Sequence, residues 1–80
     1  MQGNPEVAPP SLAATLPNEI LAEMVRRRLS RTDLAARIGA PYHWLAARLN
    51  GETRITIADV ERIAAGLDMS AVELMMRCAP

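Results

Sequence analysis

Residues 29–51 read LSRTDLAARIGAPYHWLAARLNG, and the fold turns on how this stretch is divided. Ser30 stands before an amphipathic run with Asp33 three residues later, the spacing of a capping box. Leu34, Ala35 and Ile38 then form one stripe at helical spacing, and Gly39 follows where a helix end takes a left-handed residue. The spacing predicts a short helix over 31–38. Pro41 opens a second helix running to about Leu49, and Asn50-Gly51 closes it with turn chemistry. The chain has one Tyr, one Trp, one His and no Phe, and its ring residues are consecutive: Tyr42, His43 and Trp44. Leu45 and Leu49 point inward on this second helix. Tyr42, His43, Ala46 and Ala47 then face outward, and Trp44 and Arg48 form an i, i+4 pair on a flank.

Further helices are expected on both sides. Upstream, NEILAEMVRRRL places Ile20, Leu21, Met24 and Val25 at helical spacing, with Leu29 just beyond. Pro17 suits the first helical position, and Glu19 and Arg26 to Arg28 match the helix dipole at its two ends. Downstream, ITIADVERIAAGLDM predicts a helix capped by Thr56, with Ile57, Val60, Ile63, Ala64 and Leu67 on its inner face. Ser70 caps a last helix in which Leu74, Met75 and either Ala71 or Val72 point inward. Residues 1–14, with three prolines and little periodicity, predict a flexible N-terminal tail with a short turn after Ser11; residues 15–80 form the folded domain. The expected architecture is all-α, a compact bundle of about five short helices whose second and third make a helix-turn-helix.

Composition narrows the function. Eighty residues make one small domain. The lone Cys78 builds no disulfide framework, which points to a reducing cytoplasm, and no apolar run is long enough to span a membrane. His43 has no second His beside it and Cys78 is remote in sequence, so neither a metal site nor a nucleophile–base pair is expected; the chain is read as a cofactor-free non-enzyme. Formal net charge is zero, but its distribution is uneven. Residues 26–54 hold seven Arg against Asp33 and Glu52, an excess of five positive charges, while the acids gather in the flanks. A basic centre between acidic ends suits phosphates on one face. All nine basic residues are Arg, the side chain that makes bidentate contacts with phosphate and guanine; GC-rich coding produces the same bias.

The stretch 29–51 resembles the helix-turn-helix of lambda-repressor-like DNA-binding proteins. The likeness rests on the Leu-Ser pair opening the second helix, the LA within it, Gly39 at the turn and LNG closing the third helix; VERIAAGLDMSAVEL continues the pattern over about residues 17–75. The resemblance implies sequence-specific binding of double-stranded DNA and repression of transcription, as in a phage or prophage regulator. By position, it implies that Arg31 contacts a phosphate, that Tyr42 and His43 meet base edges, and that Ala46 and Ala47 lie one turn on, where Ala can meet a thymine methyl. Asn50, Thr53, Arg54 and Thr56 are then backbone contacts. Three positions depart from the pattern: Tyr42 where Gln or Arg is frequent, Pro41 where Ser or Gly caps, and Arg48 where the family is commonly apolar.

Alternatives stay open at several residues. Trp44 either covers the core edge or lies along the DNA backbone. Arg48 either stacks on Trp44 or reaches a phosphate. Met69 and Met75 suit the core, whereas Met76 suits a homodimer contact through the C-terminal helix. Rival functions are an antitoxin-type DNA-binding autoregulator with a protein partner, and a protein-interaction module that keeps the fold without DNA.

Overall fold

The structure, a computed structural model, describes residues 12–78, with side chains from residue 14 onward. Five helices follow in order: α1 (Leu12–Arg26), α2 (Arg31–Ile38), α3 (Tyr42–Leu49), α4 (Ile57–Gly66) and α5 (Ala71–Arg77). No strand occurs among the described residues. The packing closes a ring: α2 lies against α3 and α4, α1 against α3 and α5, and α4 against α5. No helix is long and apolar enough to cross a membrane.

Local chemistry sets most of the boundaries. Ser30, Thr56 and Ser70 each accept from the backbone N–H three residues on, and the carboxylates of Asp33, Asp59 and Glu73 accept in return from the cap's own N–H. Three of the five helices therefore begin with a complete capping box, which satisfies donors a helix start leaves orphaned. Helix ends share a device as well. Leu29, Ala40, Glu52 and Met69 each donate a backbone N–H to the carbonyl five residues back, at 2.9, 2.9, 2.8 and 3.0 Å. The residue before each of these is left-handed: Arg28, Gly39, Gly51 and Asp68, at φ 55, 66, 80 and 58°. This closure satisfies orphan carbonyls and turns the chain sharply, so the connections stay short.

One apolar core fills the ring. Leu16, Ile20 and Met24 come from α1, Leu34 and Ala35 from α2, and Leu45 and Leu49 from α3. Val60, Ile63, Ala64, Leu67, Met69, Leu74 and Cys78 complete it. Each large aliphatic side chain contributes about 1.5–3 kcal/mol by leaving water, so this set outweighs any capping effect.

Three expectations need correction, and one open alternative is decided. Helix α1 begins at Leu12, not at Pro17, so Pro17 lies inside it and residues 12–14 are helical. Leu16 is buried and extends the stripe of Ile20 and Met24 backwards, and this packing offsets the backbone donor that Pro17 lacks. The turn expected after Ser11, like the tail over residues 1–11, lies outside the described residues. Val25 is 76% exposed, because the inner stripe of α1 runs through Glu23 instead. Ile57 is 66% exposed at the first position of α4, one turn beyond the buried face, and Ile55 in the preceding connection packs on the core in its place. On α5, Ala71 rather than Val72 turns inward, beside Leu74 and the half-buried Met75.

Candidate nucleic-acid interface

The α2–α3 pair is built from the turn upward. Gly39 takes the left-handed conformation that ends α2, Ala40 donates to the Ala35 carbonyl, and Pro41 sits extended at the start of α3. Leu45 and Leu49 hold α3 to the body. That leaves His43 and Asn50 exposed, Tyr42 exposed on one edge, and Ala46 and Ala47 half-buried beside them. The outward placement read from helical spacing therefore holds for Tyr42 and His43. Pro41 offers no side-chain cap, so the first N–H groups of α3 point out of the helix without an intramolecular side-chain acceptor.

Backbone-contact candidates lie on the two neighbouring connections. Arg31 is the first residue of α2, just after the Ser30 cap, and is partly exposed. Thr53, Arg54 and Thr56 are exposed in the α3–α4 connection. The Thr53 and Glu52 backbones are folded onto the Ala47 carbonyl, at 3.3 and 2.8 Å. The Thr56 hydroxyl accepts from the Asp59 N–H at 3.1 Å, and its proton is left to donate elsewhere. Glu52 is an exposed acid in the same connection.

The basic surface is thinner than the sequence suggests. Glu23 is fully buried on α1 and accepts from Arg26 and Arg27 of its own helix and from Arg77 of α5. Burial pushes its carboxyl up, but the Arg27 hydrogen bond and the charges of Arg77, Arg26 and Arg27 outweigh that and hold it below the ordinary value. Arg37 donates to the Gly66 carbonyl at 3.2 Å, and Arg48 donates through Nε to Asp59 at 3.1 Å and through a terminal nitrogen to the Trp44 carbonyl at 3.0 Å. Among the described residues, Arg28, Arg31, Arg37, Arg54 and Arg62 form no ion pair; Arg37 and Arg62 donate to backbone carbonyls, and Arg28, Arg31 and Arg54 do neither. Along residues 26–54 the guanidiniums not engaged within the molecule are thus these three, because Arg26, Arg27, Arg37 and Arg48 are held by partners on α1 and α4.

Of the two alternatives, the structure shows the core-edge placement for Trp44. It is half-buried against the core, with the Arg48 guanidinium 3.9 Å from its ring centroid. Arg62 of α4 also stands over the ring, at 4.9 Å, and donates to the carbonyls of Ile38 and Gly39 at 3.1 and 3.0 Å. Arg48 is therefore committed to Trp44 and Asp59 rather than free for a phosphate. Arg62 lies outside the sequence-derived site, and no local signal marks it: its partners are 18 to 24 residues away. Among the described residues, no group of three His, Cys, Asp or Glu side chains is placed to hold a metal ion.

No protein family, characterised protein or solved structure matches the chain.

Proposed function

We propose that the chain binds double-stranded DNA in a sequence-specific manner and represses transcription by occupying an operator. The observation that supports this most is the α2–α3 pair. Its inner face is fixed by Leu45 and Leu49, and its outer face presents Tyr42, His43, Ala46, Ala47 and Asn50 on a helix short enough for a major groove. In this reading α2 and α3 act as a helix-turn-helix. Tyr42 and His43 meet base edges, Ala46 and Ala47 face thymine methyls, and Arg31, Arg54, Thr53, Thr56 and Asn50 hold phosphates. Trp44 and Arg48 act from the flank. Two copies, joined through α5, would read half-sites about 10 base pairs apart.

A second reading has its own support. Six of the nine Arg are engaged inside the molecule, and an exposed Tyr42 beside Pro41 suits a protein partner without DNA. One titration separates the two. Labelled genomic fragments, including the DNA upstream of the chain's own gene, are bound at 50 and 200 mM salt. With Arg31 and Arg54 each releasing one counterion, the log–log salt slope is about −1.8 per protomer, a loss of about 12-fold. Arg31→Ala weakens every fragment alike, whereas His43→Ala costs about 1–3 kcal/mol on the preferred fragment only. Undetectable binding by a folded protein at 50 mM salt refutes the DNA reading and favours the protein-interaction one.

A further inference from the structure

The α2–α3 turn is held by a residue from a third helix. Arg62 reaches from α4 to the carbonyls of Ile38 and Gly39, at 3.1 and 3.0 Å. These lie at the negative end of α2, where carbonyls lack intrahelical donors, so a guanidinium satisfies them by hydrogen bonding and by charge. The same guanidinium stands 4.9 Å from the Trp44 ring centroid. Trp44 in turn stacks with Arg48, and Arg48 is tied to Asp59 on the first turn of α4. A continuous set of contacts, Arg62–Trp44–Arg48–Asp59, therefore starts and ends on α4 and encloses the first turn of α3. Pro41 gives that turn no side-chain cap, and these lateral contacts hold its Trp44 from the α4 side.

We infer that Arg62 is a positioning residue of the interface: it clamps the turn and Trp44, and so fixes the direction in which Tyr42 and His43 leave the body. This rests on the DNA reading for its functional consequence, while the clamp itself is testable without DNA. Planarity matters here, because one flat guanidinium can bond two carbonyls and face a ring, whereas a Lys ammonium is a point charge on a flexible stem.

The test uses Arg62→Gln and Arg62→Lys. Trp44 is the single tryptophan, so its fluorescence reports the clamp directly. In the free protein, both variants are expected to raise acrylamide quenching of Trp44 and to speed amide exchange at Tyr42–Trp44 relative to the rest of α3. The DNA probe is the duplex that the wild-type protein enriches from a pool of randomised 20-base-pair duplexes, against the unselected pool. Preference for the enriched duplex is expected to fall about tenfold in both variants, the scale of losing hydrogen bonds to a charged group, with the salt slope of binding unchanged. Rescue by Arg62→Lys overturns the clamp in favour of simple charge. A salt slope shallower by about 0.9 in Arg62→Gln makes Arg62 a phosphate contact instead. An unchanged preference with faster exchange makes it structural only. If the wild-type protein enriches nothing, the DNA reading fails by itself, and unchanged quenching and exchange in the variants then overturn the clamp independently. Arg62→Lys keeps charge and bulk, so it reports on the clamp even if Arg62→Gln unfolds.

Discussion

At the scale of single residues, Gly66 shows how closely α2 and α4 approach. A Cβ built there would lie 2.5 Å from Ile38 Cγ2 and 2.9 Å from Leu34 Cδ1. Leu34 is fully buried and has no room to retreat. Gly66→Ala is therefore expected to destabilise by about 1–3 kcal/mol through overpacking, even though Ala favours a helix over Gly by about 1 kcal/mol. Urea unfolding checks this, and a variant at least as stable as the parent would refute the close approach. Nothing around Gly66 in the sequence announces it, because its neighbours come from 28 and 32 residues upstream. Gly39 and Gly51 are different. Their role is backbone conformation at a helix end, which is local, and the spacing of apolar residues before them makes it legible.

Elements separate along the same line. Helices α2 and α3 were readable almost to the residue because their signals span three or four positions: a capping Ser30 with Asp33, a stripe of Leu34, Ala35 and Ile38, an inner pair of Leu45 and Leu49. The start of α1 was not, since Pro17 is a strong local signal overruled by the burial of Leu16. The joint between α1 and α5 was invisible for the same reason as Gly66: Glu23 and Arg77 are 54 residues apart. That joint carries a pH signature. The Glu23 carboxyl is held below its ordinary value of 4.5, and Asp33, Asp59 and Glu73 are also lowered. For Asp33 and Glu73 the cause is the backbone N–H of the capping Ser; for Asp59, burial raises it but the Thr56 and Arg48 hydrogen bonds win. A lowered folded-state pKa adds stability that is complete above the unfolded value and lost as pH falls through the folded one. The thermal midpoint should stay level from pH 7 to about 5 and fall below about 4.5. Glu23→Gln leaves three guanidiniums around a neutral amide, but these are partly exposed and can rehydrate, so the loss is about 1–3 kcal/mol. The variant is expected to lose that much at pH 7 in urea titrations and to show a shallower acid decline than the parent; equal midpoints at pH 7 would refute a working Glu23 joint.

At the scale of the whole molecule, the distribution of exposed apolar side chains bears on assembly. Val72 and Met76 are 65% and 70% exposed and lie one turn apart on α5, which places them on one face. The inner face of α5 is already occupied by Leu74 and Cys78 against the core. Helical spacing already turns Leu74 and Met75 inward and leaves Met76 out, and the structure agrees, with Met75 half-buried. If the chain binds DNA as proposed and a second copy covers Val72 and Met76, assembly and affinity are linked, because two protomers on two half-sites double the phosphate contacts and the salt slope rises from about −1.8 to about −3.6. Over a change from 50 to 200 mM salt this is a loss of about 150-fold rather than about 12-fold. Met76→Glu places a charge in that contact without touching the α2–α3 pair. It should leave the thermal midpoint nearly unchanged, shift sedimentation from dimer to monomer at micromolar concentration, and return the salt slope to the single-protomer value. A parent protein that sediments as a monomer both alone and on DNA would remove α5 from the interface and leave the α2–α3 pair to act in single copy.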